Sequence, residues 1–162
     1  MNPRAMLRAT VLIGSLTALV VAGCASGDGM AKKMTADESI EARKKLMKEQ
    51  GAAMKAIGDA AKAGQMQAIP AEAQKVVMTA RQIPSLFPQG SLNPATSRAK
   101  PEIWQKWAEF EGNAKALESK AAQLAATAQG GNAAATNAAV ADLGKTTCGA
   151  CHNAFRGPEI KK

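Results

Sequence analysis

Histidine and aromatic residues are scarce in this chain of 162 residues. It has one histidine, no tyrosine, three phenylalanines and two tryptophans. The single imidazole, His152, excludes any centre in which two histidines of this chain bind one metal. Alanine with a few leucine, isoleucine and valine residues makes a core of small side-chain volume, so an embedded group would supply the missing bulk. The alternation of apolar and polar residues that marks strands is also absent, which predicts an all-α chain.

The histidine ends the run Cys148-Gly149-Ala150-Cys151-His152. C-x-x-C-H is the attachment signature of c-type haem, in which the two thiols join the porphyrin vinyl groups and the histidine reaches the iron. A thiol–disulfide redox site is expected in a βαβ context, a structural zinc site needs a fourth ligand, and a plain disulfide leaves His152 unexplained. The motif therefore predicts one covalent haem c, with Cys148 and Cys151 as thioether anchors and His152 as the proximal iron ligand.

The N-terminus has the pattern of a bacterial export signal over residues 1–23. Two arginines precede an apolar run, residues 10–21, that is too short to span a membrane. The following Val21-Ala22-Gly23-Cys24 resembles a lipoprotein box, in which Cys24 is lipidated and becomes the first mature residue. Lipidation would also remove an odd third thiol from an oxidising compartment. Because Ala25 and not Asp follows, we expect an anchor in the outer membrane; a soluble periplasmic protein is the alternative.

The mature chain is long enough for one domain and remains basic. Without the two arginines of the signal, 19 basic and 13 acidic side chains leave a net charge of +6. This field suits an acidic redox partner or an anionic membrane surface. Nucleic acid is not an expected partner, because the chain is exported and its basic residues are spread over helix faces.

Four amphipathic segments follow a short polar tether over residues 24–35. Thr35 is the predicted N-cap of the first helix, with Glu38 three residues on as in a capping box, and Gly64 closes that helix. The second and third helices are separated by a proline-rich loop of roughly 17 residues. The expected fold of residues 36–162 is an up-down-up-down antiparallel four-helix bundle holding one haem. The predicted helices cover 36–63, 70–83, 101–128 and 133–155, with the haem motif near the end of the fourth.

The second axial position of the iron is left to methionine, lysine, a diatomic gas, water or nothing. In such a bundle the end of the fourth helix lies beside the N-terminal half of the first, where Met47 is on the apolar stripe. Met54 lies about 10 Å further along. Met47 is therefore the candidate distal ligand, and a core-filling role is the alternative. The remaining methionines of the mature chain are in the tether or near the second helix: Met30, Met34, Met66 and Met78.

A haem motif on the last of four helices resembles the class II c-type cytochromes, which comprise cytochrome c′ and its six-coordinate, low-spin relatives. The resemblance covers about residues 36–157. It also rests on Arg43-Lys44-Lys45-Leu46-Met47-Lys48, on Pro101-Glu102-Ile103-Trp104, and on a basic residue four after the histidine, Arg156. In the gas-binding branch an apolar residue that does not bind the iron stands four after the first-helix arginine. In the low-spin branch that residue is methionine, as Met47 is here.

The resemblance places Arg43 near the haem edge, where its guanidinium could pair with a propionate; a solvated helix-face charge is the alternative. Arg156 could screen the proximal side or simply suit a helix C-terminus. The expected function is an exported electron carrier with His152/Met47 ligation and no catalytic residues, with periplasmic or membrane redox partners. The alternatives are a gas-binding protein with an open or displaceable distal site and a haem-free helical lipoprotein. The family also suggests a homodimer.

Overall fold

The computed structural model describes residues 33–160. The export signal, Cys24 and Met30 lie outside this range, so the predictions made on them are not addressed by the structure. In the described part there is no β-strand, only an isolated bridge between Ala99 and Arg156, and no helix there is long and apolar enough to cross a bilayer. The helices are α1 (Ala36–Lys62), α2 (Ile69–Gln82), α3 (Glu102–Gln105), α4 (Trp107–Gln129), α5 (Ala133–Asp142) and α6 (Ala150–Phe155).

These elements form the predicted four-helix bundle. Helices α1, α2 and α4 provide three of its members, and α5 and α6, joined by a π-helical segment (Leu143–Gly149), provide the fourth. Each member packs against the next, and α1 also packs against α5, which closes the bundle. Alanines with little exposed surface line the contacts, so the helices approach closely, and the largest fully buried side chains are isoleucines and leucines.

Helix ends follow the local sequence signals. The N-cap Thr35 accepts a hydrogen bond from the Glu38 amide at 3.2 Å, and the Glu38 carboxylate accepts one from the Thr35 amide at 2.7 Å, which confirms the capping box. Gly64 and Gly131 follow α1 and α4 with φ of 72° and 73°, the left-handed conformation that glycine adopts without steric cost. Asn132 then caps α5 by accepting from the Ala135 amide at 3.0 Å.

Two helices predicted as continuous are broken. The third is interrupted at Lys106, whose φ of −118° and ψ of 47° separate the single turn α3 from α4. The fourth changes to π-helix over Leu143–Gly149 before α6 resumes. Single π turns inside α-helices are often found at functional sites, and this one contains the first cysteine of the haem motif. The apolar pattern that predicted these helices does not report such local changes of pitch.

The few aromatic residues gather at one end of the bundle. Phe110 is the centre of the group: its ring is 4.8 Å from that of Phe87, 5.5 Å from Phe155 and 5.6 Å from Trp107, measured between centroids. Trp104 lies against Phe87 at 6.3 Å. The rest of the core is built from aliphatic side chains. The large aromatic side chains that are scarce in the sequence are therefore concentrated at the end of the bundle that carries the haem motif.

Candidate haem site

A cavity of about 610 Å³ opens at the aromatic end of the bundle, a volume in the range of cofactor pockets. Met47 of α1 lines it on one side, and Cys148, Cys151 and His152 line it on another. Its other walls come from α4 and from the loop that precedes α3. Apolar side chains make up much of the lining: Ile83, Phe87, Ile103, Phe110, Leu117 and Phe155. The donor set and the apolar walls fit a covalently attached porphyrin.

The attachment motif spans the junction of the π-helical segment and α6. Cys148 lies in the segment, and Cys151 and His152 lie in the first turn of α6; all three are half-buried. Both thiols are free. Burial, helped by the neighbouring Cys148, raises the pKa of the Cys151 thiol to about 11. A reactive redox cysteine needs a depressed pKa, so Cys151 does not have the character of the reactive thiol of a thiol–disulfide exchange site.

The surroundings of His152 favour its neutral imidazole, the form that binds a metal. Burial lowers the pKa of its imidazole, and the positive charges of Arg156 and Arg98 lower it further. The neutral imidazole keeps the lone pair that binds a metal. The sequence suggested a screening role for Arg156 but gave no sign of Arg98, which is 54 residues away from the histidine in the chain. Arg156 itself is exposed and lies just after α6.

Met47 is the methionine that the structure brings to the cavity. Among the described methionines, Met54 packs against the core without lining the cavity, Met66 is buried in the core, and Met34 and Met78 are exposed. Met47 itself is half-buried and packs against the edge of the core. The structure thus places Met47 and the haem motif around one cavity, whereas iron ligation by Met47 stays a prediction.

Arg43 is buried, with 4% of its surface exposed, so the alternative of a solvated helix-face charge is wrong. Its guanidinium donates to the Ser91 hydroxyl at 3.1 Å, the Ser91 carbonyl at 2.8 Å and the Ser97 hydroxyl at 2.8 Å. It also lies 4.7 Å from the centroid of the Phe87 ring. Burial lowers its pKa. The sequence could not identify these partners, because both serines lie about fifty residues away in the loop.

Two polar side chains at the cavity, Arg43 and Gln50, are not fully paired by the described residues. Arg43 uses three of its five N–H donors on the serines and has no carboxylate partner among the described residues. Gln50, one turn after Met47 on the same helix, has a buried side-chain nitrogen that finds no hydrogen-bond partner among residues 33–160. Buried cations and donors are costly when unpaired. A haem, which carries two propionate carboxylates, would supply an acceptor for Arg43, so this residue fits it; propionate pairing by Arg43 stays a prediction.

Hydrogen bonds hold the loop between α2 and α3 at several points along the cavity. The Trp104 indole donates to the Phe87 carbonyl at 3.0 Å, and Arg43 holds the middle of the loop. Beyond α6, the Gly157 amide donates to the Arg98 carbonyl at 2.7 Å, and the Lys100 amide donates to the Phe155 carbonyl at 3.0 Å. A segment that the sequence marked only as irregular is therefore a fixed wall of the cavity.

Comparisons with known proteins agree with this geometry. A family model described as Cytochrome C′ matches residues 38–156. Cytochrome c′ of Pararhodospirillum photometricum is 36% identical over 121 residues, which cover 72% of this chain and 94% of the relative. Cytochrome c-556 of Agrobacterium tumefaciens is 33% identical over 121 residues, with coverages of 72% and 95%.

Solved structures show the same fold. Cytochrome c′ from Thermochromatium tepidum matches with a TM-score of 0.69 at 29% identity, over 78% of this chain and 99% of that one. Another cytochrome c′, described as having an unusual ligand-controlled dimer dissociation, matches with a TM-score of 0.70 at 25% identity, over 77% of this chain and 98% of that one.

Proposed function

Since this chain belongs to the cytochrome c′ family, we propose that it is an exported one-haem electron carrier whose iron is bound by His152 and Met47. The family binds one covalent haem c, and so does this chain. In the proposal Cys148 and Cys151 hold the porphyrin through thioethers. The bound haem supplies an iron that changes between ferrous and ferric states, and methionine–histidine ligation raises its potential and fills both axial positions.

One observation carries this proposal: the cavity that is lined by the haem motif is also lined by Met47. Neutral His152 is suited to the proximal side, and the thioether of Met47 is suited to the distal side. An iron that is closed on both faces exchanges electrons with little rearrangement and leaves no position for a substrate. For that reason the proposal assigns no catalytic residue and no enzymatic activity to this chain.

The second candidate is a gas-binding protein in which Met47 is displaced or does not bind the iron. The unpaired side-chain nitrogen of Gln50 favours it, because a polar distal ligand could accept a hydrogen bond from that amide. Arg43 and the fixed loop serve either function, since both hold the wall of the cavity in place.

The optical spectrum of the haem protein separates the two candidates. An electron carrier with Met47 on the iron should be low-spin, show a methionine–iron charge-transfer band in the ferric form and bind no carbon monoxide in the ferrous form. Met47→Ala should remove the band and allow carbon monoxide to bind. Met54→Ala is the matched control, because Met54 shares the helix but does not line the cavity. A high-spin wild-type protein that binds carbon monoxide, or a Met47→Ala spectrum identical to wild type, would exclude Met47 as the ligand.

We also propose that the chain works outside the cytoplasm. The signal pattern and the lipoprotein box favour an outer-membrane anchor through Cys24, with a soluble periplasmic form as the alternative. Redox partners are then periplasmic or membrane proteins. A homodimer is proposed as well, because the structural relatives include a dimer whose dissociation is controlled by ligand.

A further inference from the structure

The lining of the cavity is positively charged. Among residues 33–160, five basic side chains take part in it, and no aspartate or glutamate does. Three of the five are on α1, one is in the loop before α3, and one follows α6, so the charges come from different sides of the mouth. The five are Arg43, Lys44, Lys48, Arg98 and Arg156.

Two of these cations are exposed and have no counterion in the part of the chain that the structure describes. Lys44 pairs with Glu41 at 2.6 Å, and Arg98 pairs with Glu159 at 3.8 Å. Lys48 and Arg156 form no ion pair with any described residue, and both are exposed. Elsewhere on the described surface some charges are paired, for example Lys55 with Asp59 and Lys115 with Glu111. Lys48 and Arg156 differ from other exposed basic residues, such as Lys62, because they line the cavity. The five basic side chains outnumber the two carboxylates that pair with them and the two propionates of a haem, so the mouth of the cavity would stay net positive with haem bound.

We infer that the mouth of the cavity is a docking surface for the acidic face of a protein redox partner, with Lys48 and Arg156 as its two free charges. The inference rests on the proposed electron-carrier function. Two redox proteins must bring their centres together, and complementary charge around those centres raises the rate of productive encounters. A partner with carboxylates around its own redox centre would meet Lys48 on one wall and Arg156 on another.

The geometry fits a protein better than a lipid surface. Peripheral binding to an anionic bilayer uses basic residues beside apolar side chains on one continuous face, so that the apolar residues insert. Here Lys48 is on α1 and Arg156 follows α6, and apart from the exposed Ile160 the large apolar residues of the lining are buried or half-buried. The cations are therefore placed to guide a projecting acidic surface to the haem edge.

Electron-transfer rates with small charged probes test the inference on the intact haem protein. The reduced protein is mixed with hexacyanoferrate(III), an anion, or with tris(phenanthroline)cobalt(III), a cation, at ionic strengths from about 10 mM to about 500 mM. In wild type the rate with the anion should fall as salt rises, and the rate with the cation should rise. At about 10 mM, Lys48→Glu should lower the rate with the anion on the order of tenfold, and Lys48→Met should lower it about threefold. At about 500 mM both effects should disappear.

Lys62→Glu is the matched control, because Lys62 is exposed, lies on α1 and undergoes the same change of charge about 21 Å further along the helix. Its effect on the rate with the anion should stay under twofold. Equal effects of Lys48→Glu and Lys62→Glu would show that only net charge matters and would overturn the inference. So would loss of binding to phosphatidylglycerol vesicles by Lys48→Glu with an unchanged electron-transfer rate, since that result identifies a membrane surface. The charge-transfer band of each variant reports the ligation separately, so failure of the proposed function is distinguishable from failure of the docking surface.

Discussion

Replacing Arg43 by methionine should destabilise the protein by about 3 kcal/mol. Methionine keeps most of the side-chain length but removes three charge-assisted hydrogen bonds to Ser91 and Ser97. Hydrogen bonds to charged groups contribute about 1.5–3 kcal/mol each, so the lower limit for three is about 4.5 kcal/mol. Removing the buried charge itself, which has no carboxylate partner, offsets part of that loss. For a domain of this size the difference corresponds to a fall in Tm of roughly 10 °C.

Thermal and urea unfolding, followed by circular dichroism at 222 nm, measure this change. Arg81→Met is the matched control: Arg81 is exposed and pairs with Glu118 at 2.7 Å, an arrangement that contributes at most about 1 kcal/mol. Hydrogen exchange should also become faster at loop amides that the Arg43 hydrogen bonds protect indirectly, such as the amide of Ser97. If Arg43→Met unfolds within 1 kcal/mol of wild type, Arg43 does not hold the loop, and the proposed support of the cavity wall is wrong.

Two further predictions concern the fourth helix and the N-terminus. Lys120 donates to the Asp142 carboxylate and, with the Thr146 hydroxyl, holds the pKa of that carboxyl below its usual value. Because the folded pKa of Asp142 is depressed, the stabilisation by this ion pair is fully present above about pH 4 and is lost as the pH falls through the folded value. Lys120→Met should raise the pKa of Asp142, as measured in ¹³C carboxyl NMR titrations. An unchanged pKa would show that the ion pair does not form in solution. Cys24→Ala should release the full-length exported protein from the membrane fraction into the soluble periplasm, as judged by haem staining after fractionation; wild-type protein that is already soluble would refute the lipid anchor.

Local signals in the sequence predicted most of the fold. The capping box at Thr35 and the glycine at position 64 placed the ends of α1 to within one residue, because caps depend on neighbours three or four positions away. The break at Lys106 and the π-helical segment were not predicted, since apolar residues keep nearly the same spacing through both. Side-chain packing between distant parts of the chain, and not local preference, decides such changes of pitch.

The candidate site was predictable where chemistry and spacing coincide, and less so where it depends on distant contacts. Cys148, Cys151 and His152 form one motif, and Met47 followed from the antiparallel arrangement of the first and fourth helices. The burial of Arg43 was missed because its serine partners lie 48 and 54 residues away. Gln50 could have been noticed as a polar residue three positions after Met47, where helix geometry puts both on nearly the same face.

The π-helical segment has a consequence for the direction of the haem motif. In a regular α-helix each added residue turns everything that follows by about 100°, which would carry Cys151 and His152 away from the cavity. A π turn accommodates one additional residue within the helix. As a result, α5 and α6 can each direct the same side of the helix toward the rest of the bundle. The haem motif therefore keeps its direction because of the change of pitch within residues 143–149. Deletion of one residue from this segment should therefore leave the haem motif facing the cavity, which the spectrum of the attached haem would report.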